Sequence, residues 1–136
     1  MGLNIFRFIA CLTMILVVSA CSQVTDNRQK KIFSDIHNSY KNAILWSDFE
    51  YASSFQKTDS QSRVKPDPMY NNIKVTAYDE KGLVFDFDKQ RIEQTVSIQY
   101  YWIDQMIEKR ILVNSIWEWD KTSKTWYLVS KLPNFE

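Results

Sequence analysis

Few side chains in this 136-residue sequence could support catalysis, and they form no recognisable catalytic group. His37 is the single histidine. It follows Ile36 at the border of an apolar helical stripe, which favours a packed or surface histidine over a general base. Asp86 and Asp88 alternate with two phenylalanines, so both would point to the same face of a strand. The two carboxylates could bind a cation or act as acid and base, although the solvated side of an edge strand explains them more simply.

The composition gives little support to metal, phosphate or nucleic-acid chemistry. One histidine and two cysteines, Cys11 and Cys21, do not make a zinc set, and two glycines cannot form a glycine-rich phosphate loop. Arg7 is the only charged residue in positions 1–20, so the rest of the chain carries 16 basic and 16 acidic residues. A nucleic-acid binder usually has a basic excess. We therefore expect a non-catalytic domain with no metal, no cofactor and no nucleic-acid partner.

Cys21 stands in the most distinctive local sequence of the chain. It ends the sequence Val18-Ser19-Ala20-Cys21, in which an aliphatic and two small residues precede the cysteine. Positions 8–20 are uncharged, and a helix of these 13 residues spans about 20 Å, short of the roughly 30 Å core of a bilayer. That length is typical of the apolar part of a signal peptide.

The motif at positions 18–21 resembles the bacterial lipobox. The resemblance implies thioether lipidation of Cys21, cleavage before it and acylation of the new amine, which together anchor a protein stably to a membrane. Residues 1–20 are then a lipoprotein signal peptide and residues 21–28 a lipidated tether. Ser22 stands where inner-membrane lipoproteins of Gram-negative bacteria commonly carry Asp, which implies the periplasmic face of the outer membrane. The alternative is an ordinary signal peptide with a chance cysteine.

Residues 29–136 are predicted to form one domain that begins with helices. A helical period runs from Gln29 to about Trp46. Ser47 and Glu50 have capping-box spacing, with Ser47 as the N-cap of a second helix that reaches about Gln56. Residues 57–68 are polar, contain two prolines and indicate a loop. The apolar stripe of the first helix consists of Phe33, Ile36, Tyr40, and Ala43 or Ile44.

After about residue 72 the apolar period drops to two, which indicates strands. We expect strands at 73–78, 83–87, 91–103, 106–119 and 125–131, with turns at 79–82, 104–105 and 120–124. Helices followed by long antiparallel strands give an α+β fold, with N-terminal helices packed in a curved, mainly antiparallel sheet.

That order resembles the nuclear-transport-factor-2-like superfamily, which is also called ketosteroid-isomerase-like. The fold that the resemblance implies is also described as cystatin-like. The resemblance covers about residues 28–132 and rests on the segment 43–52 and on the closing Trp119 and Trp126-Tyr127-Leu128. Small Gram-negative lipoproteins of unknown function often have such a domain. The superfamily often has a third helix before the sheet, which residues 57–72 would have to supply. Its enzymes place an Asp, often with Tyr or His, in a pocket between sheet and helix, but no motif carries those roles over.

The strand pattern also predicts an apolar patch on the solvent side of the sheet. A two-residue turn at 104–105 would pair Trp102 with Ile107, and the turn at 120–124 would set Ile116 opposite Val129. Clustered apolar side chains rimmed by charge usually mark an interface. The sequence thus favours a protein partner or a homodimer, with a small-ligand-binding or catalytic pocket as the alternative. The predicted patch consists of Leu112, Ile116, Tyr127 and Val129.

Overall fold

The computed structural model describes the backbone of residues 2–58 and 65–136, and side chains from residue 23 onward within those ranges. The chain divides into two compact units, Met1–Ile32 and Phe33–Glu136. Helix α1 covers Gly2–Leu45, so the segment 22–28, predicted as a tether, is helical. The signal-peptide and lipidation predictions concern side chains outside those described. Among the described residues, no helix combines the length and apolar character that crossing a membrane requires.

The second unit joins the end of α1 to a four-stranded antiparallel sheet, which confirms the α+β prediction. The strands are β1 (Ile73–Asp86), β2 (Arg91–Trp102), β3 (Glu108–Asp120) and β4 (Thr125–Leu128), and they lie in that order across the sheet. Between α1 and β1 are the short helix α2 (Phe49–Ser53) and a 3₁₀ helix over Pro68–Asn72.

Helix α1 ends through backbone hydrogen bonds that the predicted capping box does not include. The Ser47 and Asp48 N–H groups donate to the Ile44 and Ala43 carbonyls at 2.9 and 2.8 Å, the pattern of a Schellman motif. Ser47 takes the left-handed position with φ 58°. The N-cap of α2 is Asp48, whose side chain accepts from the Tyr51 N–H. Ser47 therefore closes the first helix and does not begin the second, so the capping-box prediction is wrong.

The core lies between α1 and one face of the sheet. His37 is 5% exposed, whereas Ile36, which the sequence predicts to face the core, is only half-buried. The observed stripe keeps the 4-3-4 spacing of a buried helix face. Aromatic edges hold the two layers together, with Trp117 in contact with Phe33 and Tyr40. The buried side chains of the helix stripe are Phe33, His37, Tyr40, Ala43 and Ile44, and those of the central strands include Ile92, Val96, Ile98 and Tyr100.

The predicted turn at 79–82 is wrong, because β1 runs through it as one strand of 14 residues. Its pairing with β2 shifts by one residue between Val75 and Ala77 and again between Glu80 and Gly82. Each β-bulge adds one unpaired residue and reverses which residues face inward. The polar residues 79–82, which resemble a turn in the sequence, therefore lie within the strand, where a bulge changes which side chains face the core.

The pairing of β2, β3 and β4 follows the predicted register. Ile98 pairs with Ile111, Val96 with Val113, and Trp119 with Trp126. The predicted two-residue turn at 104–105 is wrong. β2 ends at Trp102 and β3 begins at Glu108, so positions 102 and 107 are not paired in the ladder. The turn instead bends through Met106, which has a left-handed φ of 56°.

The last residues pack into the core rather than ending the sheet. After β4 the chain leaves β3, and Leu132 and Phe135 become 9% and 2% exposed. Phe135 contacts the rings of Phe49 and Tyr100. The Tyr70 hydroxyl donates to the Pro133 carbonyl at 3.0 Å. Pro133 indicates the end of the sheet in the sequence, and the burial of this segment was not predicted because its apolar residues have no regular period.

Candidate functional site

A cluster of three buried polar side chains joins α1 to β1 and β2. His37 Nε2 lies 2.8 Å from Gln94 Nε2 and 3.2 Å from the Tyr78 hydroxyl. Helix α1 supplies His37, and β1 and β2 supply the other two. Tyr78 faces the core because the bulge between Val75 and Ala77 shifts the phase of β1. Gln94 lies in phase with the apolar residues of β2, which is the sequence signal that could have identified it.

Burial sets the charge state of this cluster. Desolvation lowers the pKa of His37, while the nearby Glu80 carboxylate opposes the shift and the Lys41 ammonium adds to it. Desolvation also raises the pKa of the Tyr78 hydroxyl. Both groups are therefore neutral at pH 7. Because the Gln94 amide nitrogen can only donate, His37 Nε2 accepts, and the imidazole proton lies on Nδ1.

This geometry fits cross-linking of the layers better than proton transfer. His37 Nε2 is already in contact with two protein groups, and its ring stacks on Phe33 at 5.5 Å. A general base needs hydrogen-bond reach to a substrate proton. Within the described part of the chain, Gln94 Oε1 and Trp117 Nε1 are buried without a hydrogen-bond partner, so the polar groups here are only partly satisfied.

The two aspartates do not form an acid–base pair. β1 ends at Asp86, and Asp88 lies in the turn, so the prediction that both lie on one strand face is wrong. Asp86 accepts from the Lys89 N–H at 3.0 Å and pairs with the Lys89 ammonium at 3.1 Å. These hydrogen bonds lower the pKa of Asp86. They stabilise a turn, and no group of three metal-ligand side chains occurs among the described residues.

The predicted apolar patch lies on the outer face of the sheet, around the junction of β3 and β4. Leu112 is 72% exposed and Val129 41%, while Ile116 and Tyr127 are half-buried. The Val129 N–H donates to the Ile116 carbonyl at 2.8 Å, so the two residues lie opposite each other as the pattern predicts. We call these four residues the outer patch.

Paired polar groups surround the outer patch on the neighbouring strand. Arg91 contacts Glu93 at 3.1 Å and Glu118 at 3.9 Å. The Thr95 hydroxyl donates to Asn114 at 2.9 Å. The outer patch is thus an apolar area within a face whose charges are largely neutralised by one another, an arrangement typical of an interface.

A groove of about 450 Å³ runs beside the outer patch, between β3 and the C-terminal segment. One wall is the stretch 111–114 of β3, and the other is formed by residues 130–134 and Glu136. Ile111 and Val113 are only half-buried here, although they lie on the inner face. The groove exists because β4 is four residues long and β3 thirteen.

Comparison of the chain with protein-family models, with curated proteins and with solved structures gave no match.

Proposed function

We propose that the chain is a lipoprotein, anchored by Cys21 to the periplasmic face of the bacterial outer membrane, whose domain binds a protein partner in the cell envelope without catalysing a reaction. The lipobox-like sequence at positions 18–21 supports the anchor. We further propose that the domain belongs to the nuclear-transport-factor-2-like group, supported by the order of helices followed by an antiparallel meander.

The outer patch is the observation that carries the partner-binding proposal. Leu112, at 72% exposed, lies on the same face as Ile116 and Val129, with Asn114 between Leu112 and Ile116 along β3. The opposite face of the sheet is filled by aromatic rings of α1 and the C-terminal segment, such as Phe33 and Phe135. A domain with a ring-filled inner face and an apolar area on its outer face is suited to meet another protein through the outer face.

Site-specific photocrosslinking in intact cells tests the partner. A photoreactive amino acid at Leu112 is expected to give a discrete adduct, and the same group at Val84 serves as the control. Val84 is 64% exposed and lies on the same outer face in the row of Glu93 and Ile116, but on β1, two strands from the outer patch. Ile116→Glu, with Val84→Glu as its matched control, is expected to remove the adduct while the chain stays folded. Global unfolding of Ile116→Glu would place Ile116 in the core, and no adduct at Leu112 would contradict the proposal.

Mass spectrometry of the purified chain tests the anchor separately. We expect an acylated cysteine at position 21 as the first residue, and Cys21→Ser should abolish both acylation and cleavage before position 21. An unmodified N-terminus elsewhere, or retention of residues 1–20 in the wild type, would contradict lipidation but not the partner interface.

The second candidate function is binding or conversion of a small molecule between helix and sheet, and the buried Gln94 Oε1, which has no hydrogen-bond partner beside His37 and Tyr78, favours it. The dye 1-anilinonaphthalene-8-sulfonate distinguishes the two candidates. An internal site predicts that His37→Leu removes dye binding, whereas an external apolar interface predicts that Leu112→Glu does so.

A further inference from the structure

The edge of β3 that faces away from β2 is open along half of its length. β4 pairs with residues 117–120, and Val129 extends this contact only to Ile116. Along residues 108–115 no other described strand lies on that side. The C-terminal segment does not pair with it as a strand, because Leu132 and Phe135 turn towards the core and a groove separates the segment from residues 111–114. The segment contacts this part of β3 through the Lys109 ammonium, which donates to the Glu136 carbonyl at 3.0 Å. An open strand edge presents rows of unpaired backbone donors and acceptors.

The direction of these backbone groups follows from two hydrogen bonds. The Ile116 carbonyl accepts from Val129 on the β4 side, and the Trp119 N–H donates to Gln90 on the β2 side. Because successive residues of a strand alternate between its two sides, even-numbered residues of β3 direct their N–H and C=O away from β2. The outward groups are those of Arg110, Leu112 and Asn114, spaced about 7 Å apart along the strand.

We propose that the partner of this surface is a second copy of the chain, whose same edge pairs with this one in antiparallel orientation with the two-fold axis at Leu112. This inference rests on the proposed partner-binding function. In this register Leu112 lies opposite Leu112 of the second copy, and Arg110 lies opposite Asn114 of the second copy. No like charges face each other. The highly exposed Leu112 side chains become a cross-strand apolar pair, the kind of contact that stabilises neighbouring strands.

Other registers fit less well. Centring the axis on Arg110 sets two guanidinium groups opposite each other, and centring it on Ile111 sets Arg110 opposite Leu112. Centring it on Asn114 sets Leu112 opposite Ile116, whose outward carbonyl already accepts from Val129 and whose N–H already donates to Ser130. The axis at Leu112 sets the most exposed side chains of the two outer patches opposite each other and pairs the free groups of Arg110 with those of Asn114.

Thiol crosslinking tests the pairing in the full chain, expressed in bacterial membranes and solubilised in a mild detergent. Leu112→Cys should give a covalent dimer with a short bismaleimide, because paired residues in such a register have Cα atoms about 5.5 Å apart. Val84→Cys is the exposed control on the other edge strand, and the wild type accounts for Cys11 and Cys21. We expect at least tenfold more dimer for Leu112→Cys than for either control.

A proline variant tests whether the backbone makes the contact. In the Leu112→Cys background, Arg110→Pro removes an outward N–H and should abolish the dimer, whereas Arg110→Ala keeps the N–H and should retain it. Circular dichroism should show both variants folded, because the lost N–H does not pair within the chain. Unfolding of Arg110→Pro, a dimer that survives it, or equal crosslinking of the 112 and 84 variants would overturn the proposal. So would an adduct of Leu112→Cys with a different protein in place of the second copy.

Discussion

The two sides of the sheet differ in how their free backbone edges are covered: β1 forms one side, and the part of β3 beyond the end of β4 forms the other. β1 is long, but its pairing shifts twice, and its Val75 N–H donates to the Ser47 hydroxyl at the end of α1. β3 pairs with β2 without a shift over eleven residue pairs, and its other side is covered only where β4 reaches it. Bulges and side-chain caps prevent further strand pairing, and a regular uncovered edge permits it. The same sheet thus carries one closed and one open edge.

The largest effect is expected from two proline substitutions at neighbouring positions of β3. Val113→Pro removes an N–H that points to β2 and leaves a ladder carbonyl unpaired, which should destabilise the fold by about 2–4 kcal/mol. Leu112→Pro removes an outward N–H and should cost much less. Urea denaturation of the two variants provides the comparison. Equal losses would mean that the edge at Leu112 is not open.

The next effect concerns the closed edge and its buried histidine. His37→Ala removes the link to Tyr78 and Gln94 and should cost about 2–3 kcal/mol. Hydrogen exchange should rise first in β1, which depends on that link. Ile36→Ala is the matched control, and it should cost less because Ile36 is half-buried. A greater loss of stability for Ile36→Ala than for His37→Ala would mean that Ile36 belongs to the buried stripe, as the sequence predicts. At normal abundance, His37→Ala should leave any envelope phenotype unchanged.

The same histidine predicts how stability depends on pH. Burial lowers the pKa of His37 below its ordinary 6.5, so the unfolded chain binds a proton more readily than the folded one. Its contribution to stability is therefore complete above pH 6.5 and is lost as the pH falls through the lowered pKa. Chemical denaturation at pH 7.5 and 5.5 should show a decrease for the wild type and a smaller one for His37→Ala. Equal decreases would assign the titration to other groups.

These comparisons show which parts of the fold the sequence could reveal. The register of β2, β3 and β4 was predictable because alternation and turn position constrain the same pairs, such as Val96 with Val113. The bulges of β1 were not predictable, because a one-residue insertion at Thr76 or Lys81 shifts the alternation of apolar and polar residues just as a turn would. Tyr78 therefore could not be assigned to the core, and its contact with His37 was missed.

Two other departures have local physical causes. Ser47 fits a capping box by type and spacing, but the backbone bonds of the Schellman motif place it after α1 instead. Phe135 is buried by contacts with residues distant in the sequence, which no local period records. The positions of the outer patch could be predicted because they need only the register. The open edge beside it depends on where β4 stops, and that follows from the inward turn of the C-terminal segment.

Ser47 offers a smaller test of the closed edge. Ser47→Ala removes the acceptor of the Val75 N–H and keeps a side chain in the left-handed conformation, so it should cost about 1 kcal/mol. Ser47→Gly removes the same acceptor but relieves the left-handed strain, so its stability should be close to that of the wild type. Thermal melts of the two variants separate the effect of the lost hydrogen bond from that of the left-handed strain. A Gly variant less stable than the Ala variant would show that this strain is negligible.

The smallest effect is expected at the ion pair above the buried cluster. Lys41 and Glu80 lie 3.0 Å apart at the surface, with 31% and 45% of their side chains exposed. Such pairs contribute little, so Lys41→Gln and Glu80→Gln should each change stability by less than about 1 kcal/mol. Their effects on His37 should nevertheless have opposite signs. Removing the ammonium should raise the pKa of His37, and removing the carboxylate should lower it further, because these charges act on the imidazolium in opposite directions.

An NMR titration of the single histidine measures both shifts directly. The double variant Lys41→Gln/Glu80→Gln is the control, and desolvation alone should keep its pKa below 6.5, since burial is the largest cause of the shift. If the double variant titrated at the ordinary value, the two surface charges and not burial would set the protonation of His37. The neutral state of His37, and with it the contact that holds β1 against α1, would then depend on the ion pair. The difference between the two edges would follow from exposed charges and not from the packing of β1.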